Sequence, residues 1–261
     1  MDYSNEIKKF FKGEVSSDIT SLALASHDAS VFEVRPSLVV APKDTFDLKN
    51  LVAFVAKKKR AGDSISLTAR SAGTDMSGGP LTESIVVNFL PHFNKMKSVS
   101  GMAAVAEPGV YYRDFEKETL KQGLLMPSYP ASRDICTIGG MVANNSGGEK
   151  TLVYGKIEKY VRKIKMVLAD GEEYEFRALH IRELEVVRQR KDLFGTIHQK
   201  MFELVMANYD RIKEAKPNVS KNSAGYYLWN VYDKDTGIFD LTKLIVGSQG
   251  TLGLITETTF S

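Results

Sequence analysis

Three glycine-rich segments, each next to an apolar run that can form a strand or a short helix, constrain this sequence more than any other feature. They are LTARSAGTDMSGGP at 67–80, TIGGMVANNSGG at 137–148 and GSQGTLG at 247–253. Because glycine lacks a Cβ, backbone N–H groups in such loops can approach a ligand and bind an anion without a charged side chain. A single phosphate needs one loop of this kind, so three loops predict one extended ligand.

The first of these segments matches neither of the familiar phosphate-binding motifs. No Gly-Lys-Ser/Thr follows it, as a Walker P-loop requires, and residues 71–75 (SAGTD) lack the G-x-G-x-x-G spacing of a dinucleotide fold. Arg70 is its only cation. By itself the segment is more typical of a surface loop, and the other two segments are what favour a ligand site. In the second segment, Thr137 is a candidate cap for a short helix whose first N–H groups point at the ligand.

Hydrophobic spacing predicts a mixed α and β chain. A strand at 37–42, a helix from Asp44 or Thr45 to about Lys59 and a strand at 64–69 form a β-α-β unit, which favours parallel pairing. The other predicted elements are amphipathic helix in 1–30, strands at 83–89 and 103–109, a helix at 112–123, a hairpin at 163–176 that turns at Asp170-Gly171, one or two long helices in 179–214, and two strands around a glycine turn in 244–260.

The composition excludes several classes of protein. A net charge of +3, from 35 basic and 32 acidic residues, is too balanced to indicate a nucleic-acid partner. One cysteine and four scattered histidines exclude a disulfide framework and disfavour a metal site. No apolar run approaches the roughly 20 residues of a membrane span, and the N-terminus has no apolar signal core. We therefore expect a cytoplasmic protein, with a peripheral position at the inner face of the membrane as the alternative.

Five segments, taken in order, resemble the flavin-binding domain of the vanillyl-alcohol oxidase / p-cresol methylhydroxylase (PCMH-type) family. They are RPSLVVAPKDTFDLKNLVAF, ARSAGTDMSGG, VAEPGV, GLLMPSYPASRDICTIGGMVANNSGGEKTLVYG and VGSQGTLGLITE, and the resemblance covers roughly residues 33–260. Each segment alone is weak evidence for this family, whereas the occurrence of all five in this order is specific to it. Within the family, the sequence is most similar to the branch of D-lactate, glycolate and D-2-hydroxyglutarate dehydrogenases. Its charged helical insert before KNSAGYYLWNVYD resembles long bacterial FAD-linked oxidases, some of which are fused to iron–sulfur modules.

The resemblance implies an α+β fold in which FAD lies between two α+β subdomains. It gives an N-terminal helical extension at 1–32, FAD-binding subdomain 1 at 33–95 and FAD-binding subdomain 2 at 96–261, with a helical insert at about 178–216. In this branch a substrate-binding cap domain follows the flavin domain. Because the chain ends at Ser261, we expect that the C-terminal cap is absent and that the chain is a truncated form or a separate flavin-carrying subunit. Its catalytic residues stay unknown.

FAD is the cofactor that the resemblance implies. Its diphosphate would lie on the backbone N–H groups of 71–75, segment 127–148 would line the ribityl chain and the ring, and Pro42 would bound the adenine end. Covalent members of the family often carry a histidine in the first loop, and since this loop has none, we expect noncovalent FAD. Cys136 is expected to be a small buried residue rather than a covalent anchor. The cofactor-binding residues implied are Pro42, Arg70, Ser71, Ala72, Gly73, Thr74, Asp75, Ser77, Gly78, Pro108, Gly109, Pro127, Ser128, Thr137, Ile138, Gly139, Gly140, Asn144, Asn145, Gly147, Gly148, Tyr154, Gly155, Gly253 and Ile255.

The function implied is oxidation of a D-2-hydroxyacid of the lactate, glycolate or 2-hydroxyglutarate type by hydride transfer to FAD. The expected partners are this small substrate, a cap domain or partner subunit, and an iron–sulfur electron acceptor. Two alternatives stay open. One is a cofactor-free pseudoenzyme or assembly module with the same fold, and the other is a different flavin reductase of the family, such as the cell-wall amino-sugar reductases. Without a cap, we expect FAD binding but incomplete substrate turnover.

Overall fold

The computed structural model describes residues 3–219 and 222–261, which form three β-sheets with helices packed against them. The strands are β1 (Glu14–Ser16), β2 (Leu38–Ala41), β3 (Leu67–Arg70), β4 (Ile85–Asn88), β5 (Met96–Ser100), β6 (Ala103–Ala106), β7 (Val161–Val167), β8 (Glu173–Arg177), β9 (Leu179–His180), β10 (Tyr232–Asp233), β11 (Ile238–Phe239) and β12 (Leu254–Phe260). The α-helices are α1 (Ser4–Ile7), α2 (Ile19–Ala25), α3 (Thr45–Arg60), α4 (Tyr112–Leu120), α5 (Ile138–Ala143), α6 (Thr151–Tyr154), α7 (Ile181–Arg188), α8 (Leu193–Ala207), α9 (Tyr209–Glu214) and α10 (Thr242–Ile245).

The first sheet has the strand order β1-β2-β4-β3. Strand β4 pairs in parallel with both β2 and β3, so α3 connects two parallel strands, as the predicted β-α-β unit requires. Leu48 and Leu51 of α3 are fully buried in the core of this sheet. The helix begins as predicted, because the Asp44 carboxylate accepts the N–H of Asp47 at 3.0 Å. This sheet carries the first glycine-rich loop at the end of β3.

The second sheet is antiparallel and has the strand order β5-β6-β12-β7-β8. The last strand, β12, lies between β6 and β7, and Phe260 at its end packs edge-on against Phe115 of α4, with ring centroids 5.4 Å apart. The predicted hairpin at 163–176 is confirmed by the pairing of β7 with β8. This sheet positions the third glycine-rich loop, which leads directly into β12.

The small third sheet, β10-β11-β9, packs with α7, α8 and α9 around an aromatic cluster. His198 of α8 lies inside this cluster, 1% exposed, and its ring centroid is 4.2 Å from that of Phe194. Burial lowers the pKa of His198, although Nδ1 lies 2.8 Å from the carbonyl oxygen of Phe194. His198 is therefore a neutral core residue at ordinary pH.

Three secondary-structure predictions are wrong. The one or two long helices predicted in 179–214 are three helices, α7, α8 and α9. Residues 1–30 are not one helical region, because Glu14–Ser16 pairs antiparallel with β2 and separates α1 from α2. Residues 244 and 245 end α10 rather than form a strand; the Asp240 carboxylate accepts the N–H of Thr242, the first residue of this helix, at 2.9 Å, and only Val246 after the helix is extended. Short apolar runs do not separate strand from helix by periodicity. The boundaries of the two subdomains and of the helical insert stay predictions.

Candidate functional site

A cleft of about 390 Å³ is lined by residues of both larger sheets and by all three glycine-rich segments. Arg70 at the end of β3 and Ile255 of β12 bring the two sheets to the same cleft. Its volume lies within the roughly 300–1,000 Å³ of ordinary small-molecule sites. The structure therefore provides one connected site for the extended ligand that the sequence predicts.

The first loop lines this cleft with consecutive residues whose backbone N–H groups have no acceptor among the described residues. These are residues 71–76. The next N–H groups are occupied, since Asp75 Oδ1 accepts from Ser77 at 3.0 Å and Asp75 Oδ2 accepts from Gly79 at 3.0 Å. The Asp75 carboxylate thus shapes the loop, and the preceding amides are free to bind an anion.

Arg70 packs beneath this loop. Its Nη2 donates to the carbonyl oxygen of Leu24 at 3.5 Å, whereas its Nη1 is buried and has no hydrogen-bond partner in the described part of the chain. Burial lowers the pKa of Arg70, and the nearby Asp28 opposes this shift. A guanidinium stays protonated in proteins, so Arg70 places a positive charge beneath the loop. A buried donor without a partner indicates that the site is completed by a ligand or by water.

The second loop differs from its prediction at the start of α5. The Thr137 side chain does not cap the helix, and its buried Oγ1 has no partner among the described residues. The N–H groups of Ile138 and Gly139 donate to the carbonyl oxygens of Val110 and Pro108, at 2.9 and 2.8 Å. Two of the first N–H groups are therefore used in tertiary contacts and cannot point at a ligand. Gly140, whose N–H has no acceptor in the described ranges, is the remaining donor of this turn.

The third loop is tied to the second at the edge of the cleft. The backbone N–H of Gln249 donates to the carbonyl oxygen of Ala143 at 2.9 Å, and its Nε2 donates to Asn144 Oδ1 at 3.0 Å. Gln249 itself has a φ of 55°, a left-handed conformation that is uncommon for a residue other than glycine. Its side chain also approaches Gly79 of the first loop. Gln249 therefore joins all three loops.

The structure brings together about half of the residues implied by the resemblance. Those that line the cleft are Arg70, Ser71, Ala72, Gly73, Thr74, Asp75, Pro108, Thr137, Gly139, Gly140, Asn144, Gly253 and Ile255. Those outside its lining are Pro42, Ser77, Gly78, Gly109, Pro127, Ser128, Ile138, Asn145, Gly147, Gly148, Tyr154 and Gly155. Several of the latter have packing roles; for instance, a Cβ at Gly109 would lie 2.7 Å from the carbonyl oxygens of Phe89 and Phe93. Their contact with a cofactor stays a prediction.

The list of residues implied by the resemblance omits part of the lining, although segment 127–148 as a whole was expected to line the ribityl chain and the ring. The residues not on that list are Ala69, Met76, Gly79, Pro80, Phe89, Pro130, Ala131, Ser132, Cys136, Met141, Ala143, Ser146, Gln249 and Gly250. Some of them, such as Gln249 and Gly250, lie inside the glycine-rich segments. Their position in such a segment was the sequence signal that could have identified them as lining residues. Phe89 had no local signal, because it reaches the cleft only through the pairing of β4 beside β3.

The residues that the structure describes contain neither a cluster of metal ligands nor a membrane-spanning helix. Within 3–219 and 222–261, no group of three or more His, Cys, Asp or Glu side chains is placed to hold a metal ion. In the same ranges, no helix has both the length and the apolar character needed to cross a bilayer. Cys136, which lines the cleft, is buried as expected, and burial raises its pKa to about 11. Its thiol is therefore protonated and poorly nucleophilic.

Comparison with protein families gives a match over residues 36–177 to the FAD binding domain family. Among similar proteins is D-2-hydroxyglutarate dehydrogenase of Escherichia coli (strain K12), 27% identical over 250 residues, which are 95% of this chain and 24% of that protein. Another is the glycolate oxidase subunit GlcD of Bacillus subtilis (strain 168), 28% identical over 89% of this chain and 38% of that protein. D-lactate dehydrogenase of Archaeoglobus fulgidus is 27% identical over 85% of this chain and 38% of that protein.

A solved structure of alkyldihydroxyacetonephosphate synthase has the same fold. Its TM-score is 0.66 at 19% identity, and the match covers 99% of this chain and 40% of that one. Together with the family match, it confirms the predicted α+β, PCMH-type fold class. The chain spans about a quarter to two fifths of the length of these relatives.

Proposed function

This chain belongs to the FAD binding domain family, and from that premise we propose that it is the cofactor-carrying part of a D-2-hydroxyacid oxidoreductase. In this proposal noncovalently bound FAD would accept the hydride of the substrate C–H bond. The relatives named above act on hydroxyacids of the 2-hydroxyglutarate, glycolate and lactate type, which supports this substrate class.

The row of amides at 71–76 is the observation that carries the proposal. FAD contains a diphosphate, and consecutive backbone N–H groups without protein acceptors are suited to its oxygens. The buried Nη1 of Arg70 adds a charged donor below the same loop. Both the main-chain and side-chain donors therefore fit a dinucleotide, and we assign the diphosphate to this loop.

The small residues of the second and third loops suit the rest of the cofactor. Gly140 keeps one unused N–H group, and Thr137 keeps one unused hydroxyl oxygen on the cleft wall. We assign these residues and Ile255 to the ribityl chain and the ring. The protonated Cys136 thiol supports noncovalent attachment, because a covalent flavin bond through sulfur needs a nucleophilic thiolate.

Bound FAD supplies a two-electron acceptor, and the residues of this chain supply binding, orientation and exclusion of water. Asp75 is the carboxylate of the cleft lining, and both its oxygens accept N–H groups of its own loop. It is thus a loop-shaping residue rather than a proton acceptor for the substrate hydroxyl. We propose that the groups binding the substrate carboxylate and taking the hydroxyl proton come from a cap domain or a partner subunit.

The FAD-loaded protein, together with the cap domain or partner subunit that supplies these groups, should lose its oxidised-flavin absorbance when it is mixed without oxygen with a D-2-hydroxyacid. D-lactate, D-2-hydroxyglutarate and glycolate are the acids to compare, with L-lactate as the control for the chirality of the site. Reduction of the bound FAD is a half-reaction that requires no second electron acceptor, so the absorbance of the flavin is the readout. Reduction by NADPH and by none of the acids would contradict the proposal and favour the flavin reductase alternative. Failure of the purified protein to retain FAD would favour the cofactor-free alternative.

A further inference from the structure

A segment outside the matched family region lies directly on the first glycine-rich loop. Residues 24–32, here called the N-terminal strap, precede the family match at 36–177. The strap contacts the loop at several points. The Ala29 N–H donates to the carbonyl oxygen of Asp75 at 2.9 Å, and the carbonyl oxygen of Leu24 accepts from Arg70 at 3.5 Å. These bonds join the strap to both ends of the amide row at 71–76.

Asp28 makes the most specific of these contacts. Its Oδ2 accepts the N–H of Gly78 at 2.9 Å, while its Oδ1 accepts the N–H of Ser30 at 2.8 Å. One carboxylate thus fixes its own turn in the strap and the far side of the loop. Partial burial raises the pKa of Asp28, but hydrogen bonds from Ser30 and Gly78 outweigh burial and hold the pKa below its ordinary value. The charge of Asp28 also attracts Arg70 beneath the loop.

Phe32 covers the same part of the loop. A Cβ placed on Gly78 would lie 3.2 Å from Cδ2 of the Phe32 ring, so the ring packs directly on the backbone there. The rest of the Phe32 side chain is accessible, since the residue remains 54% exposed. The strap therefore holds 75–78 by main-chain, carboxylate and aromatic contacts, while 71–76 keeps its N–H groups unpaired.

We propose that the N-terminal strap is a working part of the cofactor site and that Asp28 is a positioning residue for the diphosphate loop. The inference rests on the proposed function, because it takes the loop to bind the diphosphate of FAD. A glycine-rich loop has many conformations, and restricting it before binding removes an entropic cost from the binding step. Without the bond from Gly78 to Asp28, the amides at 71–76 must be ordered by the cofactor itself.

The test compares FAD and riboflavin binding in matched variants, using quenching of flavin fluorescence. Asp28→Ala should raise the Kd for FAD about tenfold or more, as expected for loss of one hydrogen bond to a charged acceptor. Riboflavin lacks the diphosphate, so its Kd should stay as in the unmodified protein. Asp28→Asn keeps one acceptor oxygen and should recover part of the FAD affinity. Glu33→Ala is the control, because it removes a nearby carboxylate whose ion pair is with His27 and not with the loop.

The possible results of this titration test the role of the strap and the proposed function separately. If the unmodified protein binds FAD and Asp28→Ala binds it equally well, the strap has no role in the site and the inference is overturned, while the proposed function stands. Equal weakening of FAD and riboflavin would also overturn it, since that result indicates general loss of structure, which circular dichroism would reveal. If the unmodified protein binds no FAD, the proposed function and the inference resting on it both fail.

Discussion

Replacing Gly73 by alanine is expected to weaken FAD binding about thirtyfold while the protein stays folded. Gly73 has a φ of 67°, where an L-residue costs roughly 1–2 kcal/mol. Its added Cβ would also overlap Nη2 of Arg70 and lie 2.7 Å from Cζ of that side chain. The guanidinium that supports the loop must therefore shift, and the loop amides shift with it. In the free variant the loop relaxes to relieve both effects, so binding must restore its shape at a cost of about 2 kcal/mol, which corresponds to the expected change in Kd.

Gly62→Ala is the matched control for this variant. Gly62 has a φ of 96° at the end of α3, and a Cβ there would have no atom within 4 Å. It therefore carries the same kind of backbone strain without any contact to the cleft. We expect a loss of about 1 kcal/mol in the free energy of unfolding and an unchanged Kd for FAD. Equal FAD affinity in Gly73→Ala and Gly62→Ala, measured by fluorescence titration, would show that the first loop does not bind the cofactor.

Gly139→Ala should reduce the free energy of unfolding by about 2 kcal/mol, whereas Gly140→Ala in the same helix should be neutral or stabilising. A Cβ at Gly139 would lie 2.5 Å from Cβ and 3.0 Å from the carbonyl oxygen of Pro108. The helix cannot simply move away, because the Gly139 N–H donates to that same oxygen at 2.8 Å. At Gly140 the nearest atom to an added Cβ is Thr137 Oγ1, at an ordinary 3.6 Å.

Urea unfolding of both variants without flavin gives the relevant measurement, because it separates packing from cofactor binding. Equal stabilities for Gly139→Ala and Gly140→Ala would contradict the close approach of α5 to Pro108. Both glycines were predicted from the sequence as cofactor contacts. The structure gives Gly139 a packing reason for lacking a side chain, since the start of α5 lies on the turn after β6.

Local sequence signals predicted the parts of the fold that depend on neighbours in the chain. Asp44 caps α3 as expected, and the hairpin of β7 and β8 forms at the predicted position. The glycine-rich segments were also visible as loops, and their convergence followed from the size of ligand that several loops imply. For the helix cap, the hairpin and the loops themselves, the determining contacts lie within a few residues, where helix caps, turns and glycine content carry the information.

Features that depend on contacts between residues far apart in the sequence could not be predicted from local sequence signals. The N–H groups of Ile138 and Gly139 have acceptors about 30 residues away, so their availability to a ligand cannot be read from the helix start. Strand β1 forms because β2 offers a free edge, although residues 14–16 carry no strong strand pattern. The contact of Asp28 with Gly78 spans 50 residues, and the strap was accordingly predicted as an extension outside the cofactor site.

Equilibrium titration of the purified, flavin-free protein with FAD and with riboflavin tests the central claim most directly. If the main-chain amides at 71–76 hold a diphosphate, FAD should bind as one molecule per chain. Its affinity should exceed that of riboflavin by about tenfold or more, since the riboflavin portion is common to both ligands. Equal affinity for the two flavins, or no binding of FAD at all, would contradict the assignment of this cleft to a dinucleotide.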